Sequence, residues 1–367
     1  QQGPMDKDLV LQWFTLEWAN EFSGEPDAAS KDALVTHLTN MIGQPMASVP
    51  LDGPLVEQVQ GILSETPVAA RAYRTIVDGP EAKALPEWTL LKAGGPATKR
   101  VMVRPSGLQL SKGVPGVYTM DGFYDIFLPA ALDVAEQIKK DNWVLGPRAE
   151  DLSDSNALAL IARDVLDLYY NDYISRYDQI LGDVDIVPLE SLSHAVEVTN
   201  VLSGPTSPIM NILTEISRET RLAEDRSVLD SASLNEGVSQ VVGIETRSGL
   251  SIQGQILLEA LISSAANAPG EAPKPPGSYV QERFQWLHDL VVRLEGQPSR
   301  LDDLMGSLQL VYQELNKMSF SGVASGESGQ ALLQFQQTAS RIDGPIQRWA
   351  TQISAGSSGI TSEGTRA

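Results

Sequence analysis

The sequence predicts a mainly α protein, a set of helical bundles in several lobes with one small irregular or β-hairpin insertion. Three observations carry that expectation. Apolar residues recur three and four positions apart along most of the chain, which places them on one face of a helix. That period lapses after Gly79, and glycine and proline crowd together from Trp88 to Gly122. It lapses again in a Ser/Gly/Ala/Pro-rich stretch from Asp230 to Gly277.

Leu9, Trp13 and Leu16, extended by Phe22, form the first stripe. Leu34, Leu38, Met41 and Ile42 form the second, after Pro26-Asp27, and Leu55, Val59, Ile62 and Leu63 the third, ending at Thr66-Pro67. A short fourth helix is expected over 68–77. In the irregular stretch, Val101-Met102-Val103 and Gly116-Val117-Tyr118-Thr119 read as β-like pieces of a hairpin or two. Helix resumes near Tyr124 and is expected to run to about Trp143.

The clearest helix spans Ser155 to Leu181, about 40 Å long at the α-helical rise. Leu158, Ile161, Val165 and Leu168 mark one face, and Tyr169, Tyr173, Tyr177 and Ile180 continue a neighbouring stripe. Two helices follow, on Leu189, Leu192 and Val196, then on Ile209, Ile212, Leu213 and Ile216. Ser207 can cap the second, and Pro208 suits its first turn because a missing N–H there loses no partner. Prolines from Ala268 to Gly277 block helix and central strand, so 230–277 is expected to be a flexible connector, with a weak helix around Gln255 to Ser263. Three helices close the chain. They carry Val280, Phe284, Leu287, Val291 and Leu294, then Leu301, Leu304, Leu308, Val311 and Leu315, then Leu332, Phe335, Ala339, Ile342, Ile346 and Trp349. Ser299 and Asp302 have the spacing of a capping box before the second of these.

Composition narrows the function. The 367 residues are 42% hydrophobic, enough for a sizeable core, and carry a net charge of −20. Such acidity repels phosphate backbones, so nucleic acid is not an expected partner. With no cysteine in the chain, disulfides, thiolate metal sites and cysteine nucleophiles are excluded. No run approaches the roughly 18 apolar residues of a membrane span. Gln1 to Pro4 read as linker residues, and the chain reads as a piece of something longer.

The search for chemistry yields no catalytic, cofactor-binding or metal-binding residue. Gly113 to Gly116 lacks the lysine and the strand–loop–helix context of a phosphate loop. His37, His194 and His288 lie far apart. Glu190 and Glu197 share a helix face with His194, as metal ligands or an acid–base group would, but so would three solvated side chains opposite Leu189, Leu192 and Val196. Asp172 and Asp178 on the long helix could suggest glycoside hydrolysis, yet they are spread around it, and Asp172–Arg176 has the spacing of an ordinary stabilising ion pair. The tyrosine stripe is the pattern of a packed face with hydroxyls at its edge.

Three stretches resemble the IcmF/TssM family. One is Val114-Pro-Gly-Val-Tyr-Thr-Met-Asp-Gly-Phe123, followed by Asp141-Asn-Trp-Val-Leu-Gly146; another is Leu168-Tyr-Tyr-Asn-Asp-Tyr-Ile-Ser-Arg-Tyr-Asp178, with Tyr177 where tryptophan is common. The third runs from Pro188-Leu-Glu-Ser-Leu through Leu202-Ser-Gly-Pro-Thr-Ser-Pro208 to Glu219-Thr-Arg-Leu222. The resemblance implies a non-catalytic scaffold: the periplasmic region of an inner-membrane protein of the type VI secretion system. Its implied partners are a TssL-like inner-membrane protein, a TssJ-like outer-membrane lipoprotein docking on a β-rich domain expected beyond this chain, and further copies of itself. The expected domain map is an N-terminal helical lobe (5–98), an IcmF-related helical domain (99–229) with β-like segments near 101–122, the connector (230–277), and a C-terminal helical domain (278–367). A cell-wall-acting periplasmic enzyme and an unrelated helical adaptor are the competing readings.

Overall fold

A computed structural model describes residues 7–21, 28–44, 53–55, 58, 61, 67–133, 155–224, 258, 274–293, 297–321 and 326–364. Packing divides the chain into two compact units, residues 1–67 with 137–153, and residues 68–136 with 154–367. The described parts are mainly α. Their only sheet is a two-stranded antiparallel pair.

In the first unit, α1 (Lys7–Glu21) packs on α2 (Ala28–Gly43). Leu38 and Ile42 of α2 are buried, whereas Leu9, Trp13 and Leu16 of α1 are 63%, 57% and 67% exposed. The third expected helix falls mostly outside the described residues, as does the Asp141–Gly146 segment.

The second unit opens with α3 (Val68–Val77), where the sequence places it, then the short helices α4 (Pro80–Ala84), α5 (Leu90–Gly94) and α6 (Thr98–Val101). Thr89 caps α5 by accepting the Lys92 N–H at 3.2 Å. The hairpin expected nearby is built differently. Strand β1 (Met102–Val103) pairs with β2 (Asp185–Ile186), far along the chain, and Gly116–Tyr118 is a 3₁₀ turn. The reason is the glycine at positions 113, 116 and 122, which lets this segment coil tightly. A lone bridge between Trp88 and Val114 closes the loop between them.

Helix α7 covers residues 120–133, with a π turn at Phe123–Phe127; its expected extension to Trp143 lies outside the described residues. The long helix α8 (Ser155–Asp183) lies against α3. Ser191 caps α9 (Leu192–Ser203) through the His194 N–H at 3.2 Å. Ser207 and Pro208 open α10 (Pro208–Glu219) as the sequence predicts. Of the expected connector, the structure describes only Leu258 and residues 274–277.

Two of the three closing apolar stripes resolve into shorter pieces. Val280 to Val291 is split at Phe284 into α11 (Ser278–Arg283) and α12 (Gln285–Val291). The single helix expected through Leu332 and Trp349 is two, α14 (Gly326–Ala339) and α15 (Ile346–Gly364). Between them Gly344 has φ +82°, and a Cβ there would meet the Trp286 ring at 2.4 Å. Pro345 follows it, so the helix cannot continue through this pair. Before them, α13 (Arg300–Ser321) starts with the expected capping box. Ser299 Oγ accepts the Asp302 N–H at 3.0 Å, and Asp302 accepts the Ser299 N–H at 2.9 Å. Helix α13 packs against α9, α12 and α14, so these C-terminal helices share the core of the second unit.

Candidate functional site

The described parts of the three stretches that carry the family resemblance meet in space around the middle of α8. Tyr169, Tyr173 and Tyr177 are wholly buried there. Their rings pack in sequence: Phe127 and Tyr118 stack on Tyr169 with centroids 3.8 Å and 5.3 Å away, Tyr169 tilts against Tyr173 at 5.6 Å, and Tyr173 stacks on Tyr177 at 5.1 Å. Pairs of this kind contribute about 0.5–1.5 kcal/mol each beyond area burial.

Each hydroxyl has a backbone acceptor. Tyr169 donates to Val117 O at 2.7 Å, Tyr177 to Tyr118 O at 3.1 Å, and Tyr173 to Glu219 O at 2.7 Å. Burial, reinforced by neighbouring charged and phenolic groups, raises all three phenols well above the usual tyrosine range. Thus the first stretch and the third are both tied to the second.

The glycines of the first stretch permit this approach. A Cβ on Gly116 would sit 2.6 Å from Pro86 O, one on Gly113 1.8 Å from Trp88 O, and one on Gly122 2.1 Å from Gly116 O. No side chain fits at any of these points without moving backbone. Thr119 then caps α7 by accepting the Gly122 N–H at 3.1 Å. Glu219, only 4% exposed, accepts the Met120 N–H at 2.7 Å, and burial raises its pKa. Tyr124 completes the closure by donating to Leu222 O at 2.6 Å.

The polar groups singled out in the sequence are dispersed. His37 is exposed on α2. His194 Nδ1 accepts the Glu190 N–H at 3.4 Å, while Glu197 pairs with Arg100 of α6. Among the described residues, no cluster of His and acidic side chains has metal-binding geometry.

His288 is buried at 3% exposure, with Nε2 2.9 Å from Thr220 Oγ1. The Thr220 hydroxyl lies 2.7 Å from Ile216 O, its acceptor, so His288 Nε2 carries the proton and donates to Thr220. Burial, then nearby Arg221, lowers the His288 pKa to about 3, and the ring is neutral.

Asp178 pairs with Arg283 at 2.9 Å. Asp172 does not take up the helical pairing with Arg176. Its Oδ2 accepts the Tyr73 hydroxyl at 2.5 Å, from α3, with Tyr118 OH at 3.4 Å. Arg176 instead lays its guanidinium over the Tyr118 ring, 4.1 Å from the centroid, and lines a cavity of about 390 Å³ with Lys83 and Lys112. Sequence reasoning missed this cavity, because its walls come from three separated segments, 77–87, 112–118 and Arg176. The available signal was the same glycine run, here closing one side.

A family model described as IcmF-related, intracellular multiplication and human macrophage-killing, matches residues 1–221. The chain is also 30% identical over 341 residues to the type VI secretion system component TssM1 of Pseudomonas aeruginosa strain PAO1, covering 92% of this chain and 30% of that protein. It therefore spans about a third of the length of that relative. No solved structure matches. The match to the family model contains two of the three converging stretches whole and the third up to its last residue, and the chain is a member of the IcmF/TssM family.

Proposed function

We propose that this chain is a structural part of a type VI secretion membrane complex, and that it lies in the periplasmic region of its parent protein without catalysing a reaction. The observation that carries the proposal is the alignment to a type VI component across nearly the whole chain. The geometry supports a structural role, because the strongest shared sequence features are spent on holding helices together. The candidate acid and base groups are each engaged by a separate fold partner, namely Asp178 by Arg283, Glu197 by Arg100 and Asp172 by Tyr73. In this reading the parent protein contacts a TssL-like protein, a TssJ-like lipoprotein and copies of itself, and the helices of the second unit act as a rigid spacer. Among the described residues, no helix is long and apolar enough to cross a membrane.

The lack of cysteine in this chain offers a direct test of placement. Asn200→Cys, at an exposed site on α9, would be introduced into the full-length protein made otherwise free of cysteine. A membrane-impermeant maleimide should label it once the outer membrane alone is permeabilised. Labelling only after inner-membrane lysis would put the chain in the cytoplasm. For the structural role, the full-length Asp178→Asn/His194→Gln/Glu197→Gln variant should assemble and secrete normally. Normal assembly with lost secretion would mean that these groups do chemistry.

A further inference from the structure

The cavity beside Arg176 has the properties of a carboxylate receptor. Arg176 is part-buried, yet among the described residues it has no ion pair and no hydrogen-bond acceptor; its Nε–H is fully buried and unmatched. Leaving a buried donor without an acceptor is destabilising, so such a group calls for an explanation. Its i−4 carboxylate is diverted to Tyr73, and stacking on Tyr118 fixes the guanidinium plane before any ligand arrives. A fixed planar fork of donors matches a carboxylate in geometry as well as charge.

The rim supplies two exposed cations. Lys83 lies 3.4 Å from Asp78 and Lys112 lies 3.7 Å from Glu87, with lysine side chains 64% and 71% exposed. Exposed pairs of this kind contribute little, so either ammonium can turn to an incoming anion at small cost. Three cations against two carboxylates leave one net positive charge around the cavity, which suits one carboxylate better than a doubly charged phosphate. Val77, Leu85, Pro115 and Val117 give apolar wall for the methylene stem of a side chain. The volume is near the small end of the range for ligand pockets, roughly 300–1,000 Å³.

We infer that this cavity receives an acidic side chain from a partner protein segment, with Arg176 as the central anchor. The choice of a protein source rests on the proposed role as a subunit of an assembly; the choice of a carboxylate rests on the cavity alone.

The probes are acetyl-Leu-Glu-Leu-amide, its Gln counterpart, acetyl-Leu, which offers only a terminal carboxylate, and inorganic phosphate. They are titrated into the 367-residue chain at low salt, with the Arg Nε–H resonances followed by NMR. The Glu peptide should move the Arg176 signal and bind at least about tenfold more tightly than the Gln peptide. It should also bind more tightly than acetyl-Leu and phosphate.

Arg176→Met should abolish that preference and lower the urea midpoint only slightly, since the stacking on Tyr118 is lost but no hydrogen-bond acceptor or ion-pair partner is left unmatched. The surface variant Lys83→Gln/Lys112→Gln should weaken the Glu peptide alone, which keeps the test open if Arg176→Met folds poorly. Equal affinity for the Glu and Gln peptides, no binding of either, a preference that survives Arg176→Met, or tighter binding of phosphate would each overturn the inference. Tighter acetyl-Leu binding would replace a side chain with a chain terminus and overturn it in that form. None of these outcomes bears on the labelling or secretion tests, so this idea and the proposed function can fail separately.

Discussion

Helices α1 and α8 carry stripes of similar spacing and have opposite surroundings. Leu9, Trp13 and Leu16 on α1 are more than half exposed, while Tyr169, Tyr173 and Tyr177 on α8 have no exposed surface. Hydropathy ranks them the other way round, because leucine is more apolar than tyrosine. What buries the tyrosines is a backbone able to reach them: three glycines with no room for a Cβ bring the 113–122 segment onto α8, and its carbonyls take two of the phenolic hydroxyls. Periodicity thus identifies a helix and a face. It does not say what covers the face.

The comparison breaks most visibly if the tyrosine stripe proves dispensable. Tyr169→Ala removes a wholly buried ring that stacks on Phe127 and Tyr118, and should destabilise the chain by about 3–5 kcal/mol in urea unfolding. A loss below 1 kcal/mol would mean the stripe is not packed as described.

Alkali should act on the same stripe in steps of proton release. Because the folded-state pKa of each buried phenol is raised, its contribution to stability is complete below pH 10 and lost above it. Each phenol costs about 1.4 kcal/mol per pH unit in that window. Tyrosine ionisation followed near the ultraviolet phenolate band should coincide with loss of helical circular dichroism, and ionisation well before unfolding would show exposed rings. Acid works through His288 with the opposite sign. Its folded pKa is lowered to about 3, so stability declines as pH falls from about 6.5 towards 3, by at most about 1.4 kcal/mol per unit. A chain in which Phe replaces His288 should lack that part of the slope.

Tyr173→Phe is subtler. It keeps the ring and deletes one hydrogen bond to Glu219 O, and should cost about 1 kcal/mol. Trp13→Ser on α1 should change stability by less than about 0.5 kcal/mol. A loss above 2 kcal/mol in the same unfolding assay would show that the α1 stripe is covered in solution, and the contrast between the two helices would vanish.

What was legible in the sequence is what depends on near neighbours. The period gave α3 and α8 within a residue or two, and the caps at Ser207 and Ser299 are made by the side chains expected to make them. What was not legible depends on competition between distant groups. Asp172 has both Arg176 and Tyr73 within reach, and only the fold brings in the second. Likewise Met102–Val103 looks like half of a local hairpin, but its partner strand is Asp185–Ile186. In the sequence His288 is only one of three histidines that lie far apart; the fold places Thr220, 68 residues away, beside it.

The indole of Trp349 donates to Val184 O at 2.8 Å, and Arg348 reaches Asp185 at 2.5 Å. These bonds join the last helix to the end of α8, some 165 residues earlier. A chain threaded out from its N-terminus therefore presents α8 long before α15 exists to close over it. Closing so long a loop is entropically slow, and half-covered faces attract neighbours in the interval. Maturation of this region has a built-in order: the Tyr173–Glu219 bond can form as soon as Glu219 has emerged, whereas Tyr177 waits for Phe284 and the β2 end of α8 for residues near 350.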